Sequence, residues 1–341
     1  MQWGKLGRMK ILVFGGTIFL GRHIVEAALA RGHDVTLFNR GQTNPLLFPE
    51  IEKIRGDRSQ DLSVLGNGRA WDAVIDTSGY LPHVVQAAAN TLQMSIEHYT
   101  FISTICVYAD FRVQPIDESA PLHTPVQDVD EETDESYGPL KVACERAVEE
   151  ILRGRSLTIR PGVITGPFDP TTRLTRWFER LAFAGSVLAP TPPNRQLQLI
   201  DVRDLANWLI NMVEGQRTGI YNTSGPSGLT IQRLLRECQQ IVASDARMIW
   251  TDEQFLYDAG IDMADLVPVW LPEPNHGTFI VNSDKAISAG LNYRPLVHTI
   301  RDTWEWWNTS SKDEDLLTNL AYERESELIR LWKKQQKHNW D

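Results

Sequence analysis

The stretch that decides the fold is "FGGTIFLGRH", residues 14–23. It follows the apolar run "KILVF" and opens a segment with helical periodicity. Gly15, Gly16 and Gly21 stand where a strand-to-helix loop that binds a pyrophosphate needs glycine, whereas the β-branched Ile18 replaces the usual middle glycine. The backbone N–H groups of such a loop would face the phosphates. The spacing alone fits a cofactor loop or a tight turn without a ligand.

Length and composition indicate an ordinary globular chain. Its 341 residues correspond to about two domains. Hydrophobic residues make up 42% and charged residues 23%, which is typical of globular proteins. The formal net charge of −10 disfavours a general nucleic-acid-binding protein, which would carry a basic face. We therefore expect no nucleic-acid partner.

Cysteines, histidines and apolar runs argue against several other classes. Cys106, Cys144 and Cys238 are far apart and form no CxxC pair, which favours buried thiols in a reducing compartment over disulfides or a zinc site. The histidines lack metal-binding spacing, so we predict no metal. No run reaches the about 18 apolar residues of a membrane span, and no signal-peptide cleavage site follows the first apolar run. These features predict a cytoplasmic protein without a membrane partner.

Strand-like and helical patterns alternate through the first half of the chain. The strand-like segments are "KILVFGG", "DVTLFNRG", "IEKIRGD", "WDAVIDTSG", "HYTFISTICVY" and "SLTIRPGVITGP". Short strands separated by helices predict an α/β fold, a doubly wound parallel sheet of the Rossmann type.

The pattern changes after Pro167, which suggests a domain boundary. We predict a dinucleotide-binding Rossmann domain over residues 1–165, completed by about 199–222, and a smaller C-terminal substrate-binding lobe over residues 166–198 and 223–310. Residues 311–341 form a charged, helix-prone tail. Its apolar positions favour docking on the body of the protein over docking on a partner subunit.

The segment "YGPLK", residues 137–141, has the composition of an acid–base site. Ser136 can cap a helix that runs to about Ile151. The i, i+4 spacing then places Tyr137 and Lys141 on one helix face. A nearby ammonium lowers the pKa of a phenol, which could then exchange a proton with a substrate oxygen. An unremarkable surface pair is the alternative.

The segment "FISTICVYAD", residues 101–110, carries two hydroxyls, Ser103 and Thr104, at the end of a predicted strand. Open α/β sheets bind ligands at the carboxyl ends of their strands. Small residues that only fill the strand are the alternative.

The order and spacing of these three segments resemble the extended, sugar-epimerase-like branch of the short-chain dehydrogenase/reductase superfamily. The resemblance runs from Met9 to roughly Trp307 and includes "GDRSQD", "RPGVITGP", "LIDVRDLA" and "GIYNTSGP". It implies that Tyr137 is the catalytic acid–base and that Lys141 lowers the pKa of Tyr137 and holds the nicotinamide ribose. It also implies that Thr104, with Ser103 as the fallback, hydrogen-bonds the reacting oxygen.

The same resemblance implies a set of cofactor-binding residues. We expect the backbone of Thr17 to Leu20 to bind the phosphates, with the Ile18 side chain turned away from them. The implied set also places Asp57 and Arg58 by the adenine. It comprises Gly15, Thr17, Ile18, Phe19, Leu20, Asn39, Arg40, Asp57, Arg58, Thr77, Ser78, Gly79, Tyr137, Lys141, Pro161, Gly162, Val163 and Ile164.

The end of the second predicted strand, "FNRG", indicates whether the cofactor is NAD(H) or NADP(H). An NAD site usually has an acid here that accepts hydrogen bonds from the ribose 2′-OH. Asn39 replaces that acid, and the guanidinium of Arg40 favours a 2′-phosphate. We therefore predict NADP(H) over NAD(H), the alternative being that Arg40 is a solvated loop residue.

Two departures from the family pattern limit the chemistry. Ile105 and Cys106 replace the Asp–Glu pair that dehydratases of this branch carry after the catalytic Thr, so we predict no dehydration. Val163 replaces an asparagine that contacts the nucleotide in sugar epimerases. The candidate substrate-binding residues are Tyr80, Tyr108, Arg173, Arg195, Gln198, Trp270 and His276.

Together these features predict an NADP(H)-dependent epimerase or reductase. It would act on a hydroxyl or ketone carbon of a small, sugar-nucleotide-like substrate, and it could form a homodimer. The "GGTxFxG" form of the first loop also resembles the chloroplast stem-loop-binding branch. The alternative is therefore a non-catalytic, nucleotide-sensing or RNA-associated protein of the same fold.

Overall fold

The computed structural model describes residues 7–66, 68–112, 114–126, 132–183, 185–260, 277, 280–310 and 319–338. The chain forms two compact units. The first unit comprises Met1–Ile164, Ile200–Gly225 and Val281–Tyr293. The second comprises Thr165–Leu199, Pro226–Ile280 and Arg294–Asp341.

Strands and helices alternate in chain order, as the sequence predicts. The strands are β1 (Lys10–Phe14), β2 (Asp34–Asn39), β3 (Glu52–Arg55), β4 (Trp71–Asp76), β5 (Ile96–Ile102), β6 (Ser156–Pro161), β7 (Val163–Thr165), β8 (Ser186–Pro190), β9 (Gln196–Leu197), β10 (Leu199–Asp201), β11 (Gly219–Thr223), β12 (Leu229–Thr230) and β13 (Arg247–Thr251). The helices are α1 (Phe19–Ala30), α2 (Ser63–Gly66), α3 (Pro82–Leu92), α4 (Asp134–Ile151), α5 (Thr175–Phe183), α6 (Val202–Glu214), α7 (Ile231–Val242), α8 (Glu253–Asp258), α9 (Asp284–Ser288), α10 (Leu296–Thr309) and α11 (Asn319–His338).

The first unit is built on a seven-stranded sheet in the order β11-β6-β5-β4-β1-β2-β3. Neighbouring strands of this sheet are parallel. The chain builds outward from β1 through β3 and then crosses to β4 on the other side of β1. Ligands of open α/β sheets bind where the strand order reverses in this way. The predicted fold is confirmed, and the topology points to the carboxyl ends of β1 and β4.

Helices cover both faces of the sheet, because the side chains of each strand alternate between the two faces. Ile11 and Val13 of β1 lie in a core cluster with residues of α1 and α6. Leu12 and Phe14 lie in a second cluster with residues of α3 and α4. Burial on both faces explains why the strands read as continuous apolar runs.

The second unit contains two small strand pairs and the remaining helices. β8 pairs with β13 in parallel, and β9 pairs with β12 antiparallel. The tail helix α11 packs on this unit: Glu325 accepts hydrogen bonds from Arg180 Nε (3.1 Å) and from the backbone N–H of Leu188 (2.7 Å). Leu328 is fully buried. The tail therefore docks on its own chain, the alternative that we favour from the sequence.

Two local predictions are wrong in detail. The last predicted strand is divided into β6 and β7 at Gly162. The cap of α4 is Thr133 and not Ser136, since the two hydroxyl side chains form a reciprocal capping box. No helix among the described residues is both long enough and apolar enough to span a membrane.

Candidate functional site

The loop after β1 is shaped by close packing of its glycines. Gly15 and Gly16 adopt φ values of +93° and +85°, which favour glycine. A Cβ on Gly15 would lie 2.7 Å from Thr77 Oγ1, and one on Gly21 would lie 2.9 Å from the backbone nitrogen of Gly16. The glycines therefore let β1, the loop after β4 and α1 approach one another closely.

Ile18 occupies the N-cap of α1 in an extended conformation and provides no side-chain cap. Its side chain is 50% exposed. The next residue, Phe19, has a φ of +30°, which is uncommon for a bulky residue and is seen mostly where other interactions hold the backbone in place. The first-turn N–H groups of α1 are thus not capped by the side chain that precedes them.

The catalytic candidates on α4 and at the end of β5 are brought together by another glycine. A Cβ on Gly138 would lie 2.2 Å from the carbonyl oxygen of Cys106. This contact holds the start of α4 against the 3₁₀ turn Ile105–Val107. As a result, Tyr137 lies near enough to Thr104 for that hydroxyl to lower the pKa of the phenol. The Oγ1 of Thr104 also accepts the N–H of Cys106 at 3.1 Å.

Burial dominates the acidity of Tyr137. It raises the pKa of the phenol well above its usual range, and the Cys106 thiol adds to this effect, while the hydrogen bond with Thr104 opposes it. The pKa shift is opposite to the lowering that we expect from the proximity of Lys141. The phenol is therefore protonated at neutral pH.

Lys141 lies one helical turn beyond Tyr137 and is directed into the first unit. Its Nζ donates to the carbonyl oxygens of Gly79 and Ile102, both at 2.7 Å. It also lies 4.2 Å from the centroid of the Phe101 ring. Burial lowers the pKa of Lys141 to about 8. The ammonium thus joins α4 to the carboxyl ends of β4 and β5.

Ser103, the fallback for Thr104, has a buried Oγ that has no hydrogen-bond partner among the described residues. Its backbone N–H donates to Ile159 on the neighbouring strand. Thr223 and Ser224, at the end of β11, also carry hydroxyls without partners in the described part of the chain. We did not predict these two residues from the sequence.

The loop after β4 is organised by Asp76, a fully buried carboxylate that the sequence reasoning missed. Asp76 accepts hydrogen bonds from the backbone N–H of Ser78 (3.1 Å) and from the Tyr99 hydroxyl (2.8 Å). Its oxygens also accept hydrogen bonds from both terminal nitrogens of Arg58, at 2.7 and 2.8 Å. The acid at the end of the buried strand "WDAVID" is the signal that could have identified it.

The remaining cofactor candidates divide between backbone and side-chain roles. Thr77 Oγ1 donates to the carbonyl of Phe14 at 2.7 Å, so its hydroxyl ties β4 to β1. Arg58 forms a buried ion pair with Asp76. Asp57 is half-buried, and hydrogen bonds from Ser59 lower the pKa of its carboxyl. The placement of both residues by the adenine stays a prediction.

The segment after β6 approaches β11 closely. Pro161 is the last residue of β6. A Cβ on Gly162 would lie 2.5 Å from Ser224 Oγ. Val163 and Ile164 follow in β7 and are half-buried. That residues 161–164 bind the cofactor stays a prediction.

Among the substrate candidates of the first unit, Tyr80 is half-exposed and its ring lies 5.5 Å from Lys141 Nζ. For Tyr108, shaping the loop is the alternative to facing the substrate, and its burial favours that alternative. Its side chain is fully buried, donates to Asn222 Oδ1 at 2.7 Å and accepts Arg160 at 3.1 Å. Tyr108 therefore shapes the loop instead of facing a substrate.

The other substrate candidates belong to the second unit or lie outside the described residues. Arg195 forms an ion pair with Glu253. Gln198 is buried. The side chain of Arg173 is 38% exposed and lies 3.9 Å from Asp169. Trp270 and His276 lie outside the described residues.

A metal centre is not visible in the described ranges, where no group of three or more His, Cys, Asp or Glu side chains is arranged to hold an ion. The site is therefore described by its glycine loop, hydroxyls, tyrosine and lysine.

Comparison with known proteins identifies the class of protein that this fold and site define. Residues 73–223 match the NAD dependent epimerase/dehydratase family. The match confirms the resemblance drawn from the motifs. The glycine loop after β1 lies before the matched segment.

Two curated relatives and two solved structures are similar to the chain. It is 24% identical over 254 residues to chloroplast stem-loop binding protein of 41 kDa b from Arabidopsis thaliana, a match that covers 67% of this chain and 62% of that protein. It is 41% identical over 66 residues to 2-alkyl-3-oxoalkanoate reductase from Stenotrophomonas maltophilia, covering 19% of this chain and 20% of that protein. The chain thus spans less than two thirds of either relative.

The solved structures share the fold at low identity. The Bordetella bronchiseptica enzyme WbmH in complex with NAD+ has a TM-score of 0.66 and 18% identity, covering 89% of this chain and 99% of that one. UDP-N-acetylglucosamine 4-epimerase from Methanobrevibacter ruminantium, in complex with UDP-N-acetylmuramic acid, has a TM-score of 0.68 and 16% identity, with the same coverage of 89% and 99%. At these identities the likeness establishes the fold.

Proposed function

We propose that this protein is an NADP(H)-dependent epimerase or reductase that acts at a hydroxyl- or ketone-bearing carbon of a small, sugar-nucleotide-like substrate. The observation that carries the proposal is the close approach of Gly138 on α4 to the carbonyl oxygen of Cys106. It places Tyr137 near enough to Thr104 for that hydroxyl to act on the pKa of the phenol, one helical turn from the buried ammonium of Lys141. The NAD+ complex of WbmH and the sugar-nucleotide epimerase that share this fold support the same class of chemistry.

The residues of the first loop fit a dinucleotide. Gly15 and Gly16 let the backbone turn between β1 and α1, and the N-terminus of α1 lacks a side-chain cap, so its N–H groups suit a pyrophosphate. We propose that this loop and Thr77 to Gly79 hold the cofactor. When bound, the nicotinamide would supply hydride transfer to or from the reacting carbon.

The residues of the chain would manage the proton at the reacting oxygen. Thr104 would hydrogen-bond that oxygen and orient it toward Tyr137. Because the pKa of Tyr137 is raised, the neutral phenol would donate its proton as negative charge develops on the oxygen. Lys141 would keep α4 in place through Gly79 and Ile102 and would favour negative charge nearby.

The neighbouring side chains narrow the reaction. Ile105 and Cys106 follow Thr104, and neither supplies the carboxylic acid that would expel hydroxide in a dehydration. We therefore propose hydride transfer and not dehydration. The reaction would be an epimerisation if the hydride returns to the substrate, and a net reduction if the substrate keeps it. Tyr80 is our substrate candidate in the first unit, while Arg173, Arg195 and Gln198 stay predictions for the second.

Native mass spectrometry of the purified protein tests the proposal, because retained NADP or NAD adds a defined mass. Tyr137→Phe should then lower turnover of an identified substrate by about 10²- to 10⁴-fold. Tyr257→Phe, at an exposed tyrosine of the second unit, is the matched control. Unimpaired turnover by Tyr137→Phe would contradict the assigned role.

The two reaction types differ in what they consume. An epimerase would show no net use of NADPH, whereas a reductase would consume it in proportion to product. Absorbance at the reduced-nicotinamide band during turnover separates them.

The likeness to chloroplast stem-loop binding protein of 41 kDa b supports a second candidate, a non-catalytic, RNA-associated protein of the same fold. The net charge of −10 argues against it. Salt-sensitive RNA binding together with the absence of dinucleotide binding would favour this second candidate. The homodimer and the cytoplasmic location stay predictions, the first testable by light scattering.

A further inference from the structure

Three cations gather at the carboxyl ends of β2 and β3. Asn39 and Arg55 are opposite one another in the parallel register of these strands. Arg40 follows Asn39, and Lys53 precedes Arg55 on β3. The guanidinium of Arg55 lies against the backbone of Gly41, where a Cβ would come within 2.7 Å of its Nη1. Gly41 has a φ of +72°, a backbone conformation that favours glycine.

Asn39 connects this cluster to the glycine loop. Its Nδ2 donates to the carbonyl oxygen of Gly15 at 2.8 Å. Its Oδ1 accepts the N–H of Gly41 at 3.0 Å and also accepts Arg55. The side-chain oxygen that would accept a ribose 2′-OH in an NAD site is therefore engaged by a cation. The position next to the loop thus presents positive charge where NAD enzymes present negative charge.

The charge of this cluster is not neutralised within the described part of the chain. There, Arg40, Lys53 and Arg55 form no ion pair. Lys53 Nζ and Arg55 Nη2 both donate to the carbonyl oxygen of Pro45, a neutral partner, at 3.1 and 3.3 Å. The carboxylate of Asp57 is near enough to Arg40 for the guanidinium to lower its pKa. In a chain with a net charge of −10, an unpaired group of three cations favours an anionic ligand.

We propose that Arg55, contributed by β3, binds the ribose 2′-phosphate of NADP(H) together with Arg40 and so determines the preference over NAD(H). The proposal rests on the proposed function, since it assumes that the glycine loop holds a dinucleotide. A guanidinium matches a phosphate with two parallel N–H donors, and each terminal nitrogen of Arg55 carries a second hydrogen beyond those already engaged. Lys53 adds charge without that directional fit.

The geometry distinguishes this assignment from the simpler expectation that Arg40 alone selects NADP(H). Arg40 lies on the loop after β2, whereas Arg55 is positioned by three contacts: the Asn39 side chain, the Gly41 backbone and the Pro45 carbonyl. A side chain held in place loses less rotamer freedom when it binds a ligand. We therefore expect Arg55 to contribute more selectivity than Arg40.

Calorimetric titration of the full-length protein tests the assignment without any catalysed reaction. The ligands are NADPH, NADH, 2′,5′-ADP and 5′-AMP. Arg55→Gln should lower the affinity for NADPH and 2′,5′-ADP by about ten- to a hundredfold. It should leave the affinities for NADH and 5′-AMP within about twofold of the wild-type values. The NADPH affinity of Arg55→Lys should lie between those of the wild type and Arg55→Gln, because lysine keeps the charge but not the paired donors.

Arg8→Gln is the matched control. Arg8 is also an exposed arginine of the first unit, but it precedes β1 and pairs with Asp34 at 3.5 Å. It should change none of the four affinities. A wild-type protein that binds neither dinucleotide would overturn the proposed function and this site with it. A wild-type protein that binds NADPH, with Arg55→Gln leaving the ratio of NADPH to NADH affinity unchanged, would overturn this assignment alone.

Discussion

Gly138 offers the sharpest test of how the catalytic groups are brought together. Gly138→Ala would place a methyl group 2.2 Å from the carbonyl oxygen of Cys106 and 3.1 Å from Cδ2 of His123. A carbon and a carbonyl oxygen need about 3.3 Å even in a close contact. The start of α4 and the 3₁₀ turn must therefore separate by about 1 Å.

The expected loss of stability combines two opposing effects. Overpacking of this kind lowers the free energy of unfolding by about 1–3 kcal/mol. Alanine is favoured over glycine inside a helix by about 1 kcal/mol. The net expectation is a loss of up to about 2 kcal/mol. Because Tyr137 is the neighbour of Gly138, the same shift separates it from Thr104, and a 1 Å misplacement can lower a rate by about 10²-fold.

Urea unfolding and turnover measure the two effects. The midpoint of unfolding should fall while its denaturant dependence stays the same, and NADPH affinity should be retained. Gly66→Ala is the control, since its Cβ would meet only Thr91 Cγ2 at 3.8 Å. If Gly138→Ala were as stable and as active as the wild type, the close approach of α4 to the turn would not position Tyr137.

Two further predictions follow from buried charges in the first unit. Arg58→Gln leaves the Asp76 carboxylate buried without its cation, so urea unfolding should show a loss of about 3–5 kcal/mol. Arg69→Gln, at the exposed pair with Glu52, should change stability by less than about 1 kcal/mol, and equal losses in the two variants would contradict the burial argument. Burial lowers the pKa of Lys141 to about 8 from its ordinary 10.5, so between these values the unfolded chain binds more protons than the folded chain. The burial of the protonated Lys141 destabilises the folded chain fully below pH 8, and this destabilisation disappears as the pH rises through the window. The free energy of unfolding of the wild type, relative to that of Lys141→Met, should therefore increase from pH 8 to pH 10. A difference between the two proteins that stays constant with pH would argue against the lowered pKa.

The strands and helices could be predicted because their signals are local. Apolar runs bounded by turn residues mark β1 to β6, and helical periodicity marks α1 and the end of α4 at Ile151. The start of α4 was missed because Thr133 and Ser136 cap it reciprocally, and either hydroxyl fits the pattern. The break at Gly162 was missed because the apolar pattern continues through it.

The candidate site could be predicted only in part. Spacing identified Tyr137 and Thr104, which the structure brings near enough for Thr104 to act on the pKa of the phenol. Spacing could not identify the burial of Tyr108, because its partners Arg160 and Asn222 lie 52 and 114 residues away along the chain. Nor could it identify the carbonyl partners of Lys141, which lie in the loop after β4 and at the last residue of β5.

By itself, the sequence determined the parallel sheet, the loop that follows β1 and the order of the catalytic candidates, since these depend on periodicity and turn chemistry. Only the tertiary structure decided what each charge does. Arg55 and Arg58 are three residues apart in "IRGDR", yet Arg58 is buried against Asp76 and Arg55 lies exposed beside Asn39. The reason is that a parallel sheet pairs residues that are distant in the chain, and the partner that a cation meets there decides whether it stabilises the fold or remains available for a ligand.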